Sequence, residues 1–250
     1  MKKFRYGGRK MNKIKLFCLP FAGGSASIYM KWRPHLHPMI ELIPIEIASR
    51  GARFNDDHYG SFDACIEDVL NQIKNYGIDT PYAIFGHSMG ASISFEVTRK
   101  LELKYNSLPI RLFLSGRRSP QSARPFKQMH LLSDDEFIVE LRKLGGTAEE
   151  ILADSSLSEV FFPIIRADYE MLSSYKFQPP SQPINVAFSI LNGKADDLYP
   201  QEITGWQALT TSKCEYLFFE GGHFYIEEKY KDVVSHVNSA LITIENEVAR

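Results

Sequence analysis

Six short apolar runs, at 14–19, 41–47, 82–85, 110–115, 186–191 and 215–219, punctuate the chain. Each is too short to be a buried helix and is bounded by polar or turn-forming residues, so each reads as a buried strand. Between and after them the apolar positions fall at helical spacing, most clearly over 61–76, 91–105 and 226–245. Strands alternating with helices predict an α/β protein, a mostly parallel central sheet with helices on both faces. The alternation fails once. From about 120 to 183 no strand run appears, while Ser133-x-x-Glu136 and Thr147-x-x-Glu150 each offer a capping box for a short helix. A third helical stretch spans 157–175, with Pro163 as a kink or boundary. A helical insertion between two strands reads as a lid over the strand ends, where such sheets bind ligands. Pro179, Pro180 and Pro183 then return the chain to the sheet. Without internal repeats or low-complexity segments, the expectation is one domain over 13–250 with its lid at about 120–183, preceded by a loose leader at 1–12.

Bulk properties narrow the function classes more than the fold. The 250 residues are 44% hydrophobic and 24% charged, with a formal net charge of -1. That balance gives no electrostatic reason for a nucleic acid or an anionic membrane as partner. The basic start continues into Arg9, Lys10, Lys13 and Lys15 where a signal peptide would be apolar, and no run approaches ~18 apolar residues. Cys18, Cys65 and Cys214 are odd in number and lack any ligand spacing, so they read as reduced, buried thiols. His35-x-His37 has no acid or cysteine partner of suitable spacing, and no metal is expected. The expectation is a cytoplasmic monomer.

Gly86-His87-Ser88-Met89-Gly90 lies between the strand pattern Tyr82-Ala83-Ile84-Phe85 and a helical segment opening at Ala91. Gly-x-Ser-x-Gly alone is a weak pattern, but a strand-to-helix turn is the setting of the nucleophile elbow of the α/β-hydrolase fold. There the serine takes a strained conformation that small neighbours tolerate, and its hydroxyl sits at the positive end of a helix. Its base and acid should follow in the order acid, histidine. His223 comes after the last strand run and the pair Gly221-Gly222, which suits a loop at the strand ends. His87 reads as a packing residue, since a neighbouring side chain on a tight turn points elsewhere. Asp196 and Asp197 both lie in the loop after 186–191, and spacing does not choose between them. The backbone N–H of Met89, directly after the serine, suits one arm of an oxyanion hole, and the loop Pro20-Phe21-Ala22-Gly23-Gly24-Ser25 is placed for the other.

Taken together these segments resemble the type II thioesterases that accompany nonribosomal peptide and polyketide synthases. The resemblance runs from about residue 16 to 237. It rests on Leu19-Pro20-Phe21-Ala22-Gly23-Gly24, on the serine turn, and on Gly193-x-x-Asp196, Gly205-Trp206 and Gly221-Gly222-His223-Phe224. In the insertion, residues 130–137, Leu144-Gly145-Gly146-Thr147 and 163–169 separate this family from ordinary lipases. The resemblance implies Ser88 as nucleophile, His223 as base, Asp196 as its orienting acid, and the amides of Ala22 and Met89 as oxyanion hole. It implies no cofactor of the protein's own, because the phosphopantetheine arm belongs to the substrate. The partners it implies are acyl- or peptidyl-carrier proteins, from which wrongly loaded or stalled acyl groups are hydrolysed. A chain-releasing thioesterase, a small-ester hydrolase and a non-catalytic member of the fold are the alternatives. Carrier proteins are acidic, which makes Arg50, Arg53, Arg117 and Arg118 candidate contacts.

Overall fold

The computed structural model describes residues 5–6, 9–10, 13–125 and 127–248. Most of the leader at 1–12 lies outside the described residues; within it, Arg5–Tyr6 pairs antiparallel with Arg9–Lys10. The main sheet contains β1 (Ile14–Leu19), β2 (Ile40–Pro44), β3 (Tyr82–His87), β4 (Arg111–Ser115), β5 (Ala187–Gly193) and β6 (Cys214–Phe219). Its strand order is β2-β1-β3-β4-β5-β6, and every described pairing in it is parallel.

Side chains alternate along each strand, and the sheet uses both faces. Phe17 and Leu19 join a core with α1 (Phe62–Tyr76) and α2 (Met89–Tyr105), whereas Leu16 and Cys18 join another with Tyr29, Trp32 and the helix Tyr230–Val248. The spacing of Phe62, Cys65, Ile66, Val69, Leu70 and Ile73 presents one apolar face of α1 to the sheet. Ser61 starts that helix by accepting the Ala64 N–H at 3.2 Å, and Gly77, at φ 96°, ends it.

One strand and one cysteine of the sheet depart from expectation. The second strand ends at Pro44, not at 47, because its partner β1 stops at Leu19; Ile45 gives its N–H to the Cys18 carbonyl, and Ile45 and Ile47 stay in the core as buried loop residues. Cys18 and Cys65 are buried, but Cys214 on the edge strand β6 is only half-buried.

Between β4 and β5 lie α3 (Asp134–Leu144), α4 (Glu149–Ala153) and α5 (Ser155–Ser173). Ser133 and Glu136 form the expected capping box, worth about 1 kcal/mol. Thr147 does not: the N-cap of α4 is Ala148, which offers no side-chain cap, and Asp154 caps α5 through the N–H groups of Ser156 and Leu157. Pro163 neither bounds nor breaks α5. An interior proline costs about 3 kcal/mol, and packing at both ends of the helix offsets it. Phe162 and Ile165 belong to a small core with Met129, Phe137, Leu141 and Leu152, while Met171 and Leu172 belong to the core under α1 and α2.

The chain reverses direction across the sheet between β1 and β3. Loops leaving the carboxyl ends of these two strands diverge there and open a crevice, the usual ligand position in such sheets. They carry Ala22 and Ser88.

Candidate active site

Ser88 has φ 54° and ψ -112°, a left-handed conformation that costs a non-glycine residue of order 1–3 kcal/mol. Its N–H donates to the Ser115 carbonyl at the end of β4 (2.8 Å), and its carbonyl accepts from Ala91 at 3.1 Å. The flanking glycines are steric requirements. A Cβ on Gly86 would lie 2.1 Å from the Gly90 oxygen, and one on Gly90 would lie 2.4 Å from the Leu19 oxygen. The turn is therefore pressed against both α2 and β1. Met89 opens α2, so its N–H lies ahead of the first intrahelical hydrogen bond.

His223 reaches this turn from the loop after β6, where Gly221 has φ 116°. Its Nε2 is 2.9 Å from Ser88 Oγ, and its Nδ1 is 2.9 Å from Asp196 Oδ2. A carboxylate at Nδ1 keeps the proton on that nitrogen and leaves Nε2 to accept from the serine hydroxyl. Asp196 comes from the loop after β5, which is tied to the His223 loop by Lys194 N–H to the Phe219 carbonyl and Ala195 N–H to the Gly221 carbonyl. Gly193 is needed at this crossing, since a Cβ there would lie 2.1 Å from the Gly222 oxygen. The side chains of His223 and Asp196 are 11% and 6% exposed. That of Asp197 is 82% exposed and faces Arg124. The geometry separates the two aspartates that spacing left open.

His87 packs, as expected, but it also hydrogen-bonds. Its ring centroid is 5.1 Å from that of His223, and its Nδ1 is 2.8 Å from Ser115 Oγ, which is 2.6 Å from the Tyr225 hydroxyl. All three residues are buried. Burial, and then the proximity of His223, push the His87 pKa well below its ordinary value, so this imidazole stays neutral. The network ties the ends of β3 and β4 to Tyr225, two residues after His223.

The loop bearing Ala22 is held from two sides. The Tyr29 hydroxyl donates to the Leu19 carbonyl at 2.6 Å. On the other side, Asp168 of α5 accepts the Gly23 N–H at 2.7 Å and two Arg50 nitrogens at 2.6 and 2.7 Å. Burial pulls the Arg50 pKa down, but the hydrogen bonds and charge of Asp168 outweigh it and hold the guanidinium above its ordinary value. The sequence did carry a signal for this pair. Asp168 sits on the apolar face of α5 with Ile164, Ile165, Met171 and Leu172, where a carboxylate needs a partner.

The four candidate arginines are each engaged within the protein, Arg50 by Asp168, Arg53 by Asp68, Arg117 by Ser92 and Arg118 by Glu202. Arg50 and Arg118 are 4% and 8% exposed. Arg53 is engaged by Asp56 and Asp68, and Arg117 turns to Ser92 Oγ at 2.7 Å. A cleft of about 380 Å³ between the insert and the sheet ends is lined by Arg117, Met129, Leu144, Tyr169, Asp196 and His223, among others.

A serine hydroxyl aligned with a buried imidazole and carboxylate, beside a helix N-terminus and a cleft, is suited to acyl transfer. The thioesterase domain model matches residues 14–241. The chain belongs to the thioesterase family. It is 35% identical over 221 residues to the gramicidin S biosynthesis protein GrsT of Aneurinibacillus migulanus, covering 88% of this chain and 86% of that one. It is 32% identical over 230 residues to thioesterase PikA5 of Streptomyces venezuelae, covering 92% and 81%. Among solved structures, ClbQ from the colibactin nonribosomal peptide and polyketide pathway superposes with a TM-score of 0.89 at 33% identity, over 94% of this chain and 99% of that one. The α/β-hydrolase fold is thus shared with thioesterases, and the helical insert is part of the matched region. Among the described residues, no helix is long and apolar enough to cross a membrane.

Proposed function

We propose that this thioesterase hydrolyses acyl thioesters from the phosphopantetheine arm of carrier proteins, clearing misprimed or stalled acyl groups in nonribosomal peptide or polyketide synthesis. The observation that carries the catalytic part is the continuous Ser88–His223–Asp196 hydrogen-bonded chain beside the β1/β3 crevice. In this reading Ser88 Oγ attacks the thioester carbonyl carbon while His223 Nε2 takes its proton. Asp196 stabilises the imidazolium that forms. The N–H groups of Ala22 and Met89 receive the carbonyl oxygen as it becomes negative, and the positive end of α2 favours that charge. Collapse of the tetrahedral intermediate breaks the carbon–sulfur bond, and His223 returns its proton to the leaving thiolate. Water, deprotonated by His223, then releases the acid and restores Ser88.

The triad treats esters and thioesters alike, so carrier preference rests on binding outside the reacting bond. The pathways named for GrsT and ClbQ support a carrier-bound substrate here too. Acetyl-loaded carrier protein and acetyl-coenzyme A, compared with wild type and Ser88→Ala, provide the test. The carrier substrate should have the higher kcat/KM, and the variant should lose about 10³-fold or more in kcat. Equal kcat/KM for the two substrates would make a general thioesterase the better reading, and an active Ser88→Ala would remove the mechanism.

A further inference from the structure

The Arg50–Asp168 pair joins three segments that are distant in the chain. Asp168 Oδ1 accepts from Arg50 Nη2, and its Oδ2 accepts from both Arg50 Nη1 and the Gly23 N–H. Arg50 also donates from Nε to the Ala48 carbonyl at 3.1 Å and from Nη1 to the Gly24 carbonyl at 3.4 Å. Arg50 and Asp168 are 4% and 3% exposed. Such a pair is a poor source of net stability, because desolvating two charges offsets most of their attraction. What it supplies is geometry: a planar fork against a carboxylate fixes direction as well as distance.

The geometry is spent on one turn. Gly24 N–H donates to the Phe21 carbonyl at 2.9 Å, and Gly23 has φ 78°, which makes residues 21–24 a β-turn with glycine in its left-handed position. The Phe21 carbonyl and the Ala22 N–H belong to the same planar peptide, so fixing one aims the other. The central peptide of such a turn can flip, and its N–H is the one that Asp168 holds. Ile165, one turn before Asp168 on α5, closes the remaining space: a Cβ on Gly23 would lie 2.6 Å from its Cγ1.

We infer that Arg50 and Asp168 are positioning residues that hold the Ala22 N–H in line for the developing oxyanion. The inference rests on the oxyanion role proposed for Ala22. It makes the second half of α5 a fixed strut of the active site, although the helix belongs to the insert.

Asp168→Asn is nearly isosteric, and Arg50→Lys keeps the charge without the fork. Each should lower kcat on acetyl-carrier protein by about 10- to 100-fold, less than complete loss of an oxyanion donor, with KM within about threefold of wild type. The midpoint of the pH profile should not move, because neither residue touches His223. An alkylboronate, which forms a tetrahedral adduct on Ser88, should lose affinity by the same factor as kcat. A folded variant with unchanged kcat, with only KM raised, or with a displaced pH midpoint would overturn the inference. Should both variants fail to fold, amide exchange in the wild type decides. The Gly23 N–H should be as protected as the amides of β3, and exchange at the rate of an open loop would overturn the clamp. The functional reading fails separately, by a wild type inert on acyl-carrier protein or indifferent to Ser88→Ala.

Discussion

Replacing Asp196 by Asn leaves shape and volume nearly unchanged and removes one negative charge 2.9 Å from His223 Nδ1. With both side chains almost enclosed, an effective dielectric near 20 and charge centres roughly 4 Å apart give about 4 kcal/mol of stabilisation for the imidazolium. That alone corresponds to about 10³-fold in rate. Asn can also turn its NH₂ toward Nδ1, which moves the ring proton to Nε2 and removes the acceptor for the Ser88 hydroxyl. The two effects together should lower kcat by about 10³- to 10⁴-fold. Asp197→Asn makes the contrast: its side chain is 82% exposed and its partner Arg124 is 3.4 Å away, so only an exposed ion pair worth about 0–1 kcal/mol is lost and kcat should stay within about threefold. Steady-state release of thiol from acetyl-carrier protein measures both variants, with circular dichroism to show equal folding. A folded Asp196→Asn that retains most of its activity, or a larger loss in Asp197→Asn, would refute the reasoning.

Three other outcomes follow from the geometry. Gly90→Ala should destabilise the fold by about 2–3 kcal/mol, a fall of roughly 4–12 °C in Tm, because the new Cβ meets the Leu19 and Pro20 carbonyl oxygens; an unchanged Tm would contradict it. His87 faces His223, Tyr225 and Ser115, and its folded pKa lies below the unfolded value near 6.5. The unfolded chain therefore binds the extra proton, and stability should be complete above about 6.5 and fall by at most about 1.4 kcal/mol per pH unit below it until folded His87 also titrates. Melting curves from about pH 7.5 to 5.5 should show a shallower slope for His87→Asn, and an equal slope would exclude His87 as the source. In hydrogen exchange, amides of α3 and α4 should open at least about tenfold faster than those of Met171 and Leu172, since the former rest only on the small core of the insert; uniform protection would remove any lid motion.

The α/β class and six strands were legible because each strand is a local apolar run, and a parallel sheet buried on both faces makes such runs nearly continuous. Strand ends were less legible, since β2 stops where its neighbour stops and not where its own hydrophobicity does. Ser88 was readable from its immediate surroundings. The choice between Asp196 and Asp197 was not, because two adjacent loop residues differ only in which of them turns inward. The Arg50–Asp168 pair spans 118 residues, and only its acidic half left a local trace, as a carboxylate in an apolar stripe. The partners of the four candidate arginines were not legible for the same reason. A charged side chain in a polar loop looks solvated until its distant partner is in place.

The continuity of α5 through Pro163 bears on how thioesterases of this architecture can be recombined. An exchange of the insert cut at the loops flanking residues 120 and 183 would carry Asp168, Met171 and Leu172 away with it, and the recipient would lose part of its own interior. The workable seam lies inside the helix, between Phe162 and Asp168, where the proline already interrupts the backbone hydrogen bonding. A graft joined there would import the donor's cleft wall and keep the recipient's catalytic framework. The natural unit of exchange is then about two and a half helices, and its boundary is a residue that secondary structure alone would never mark.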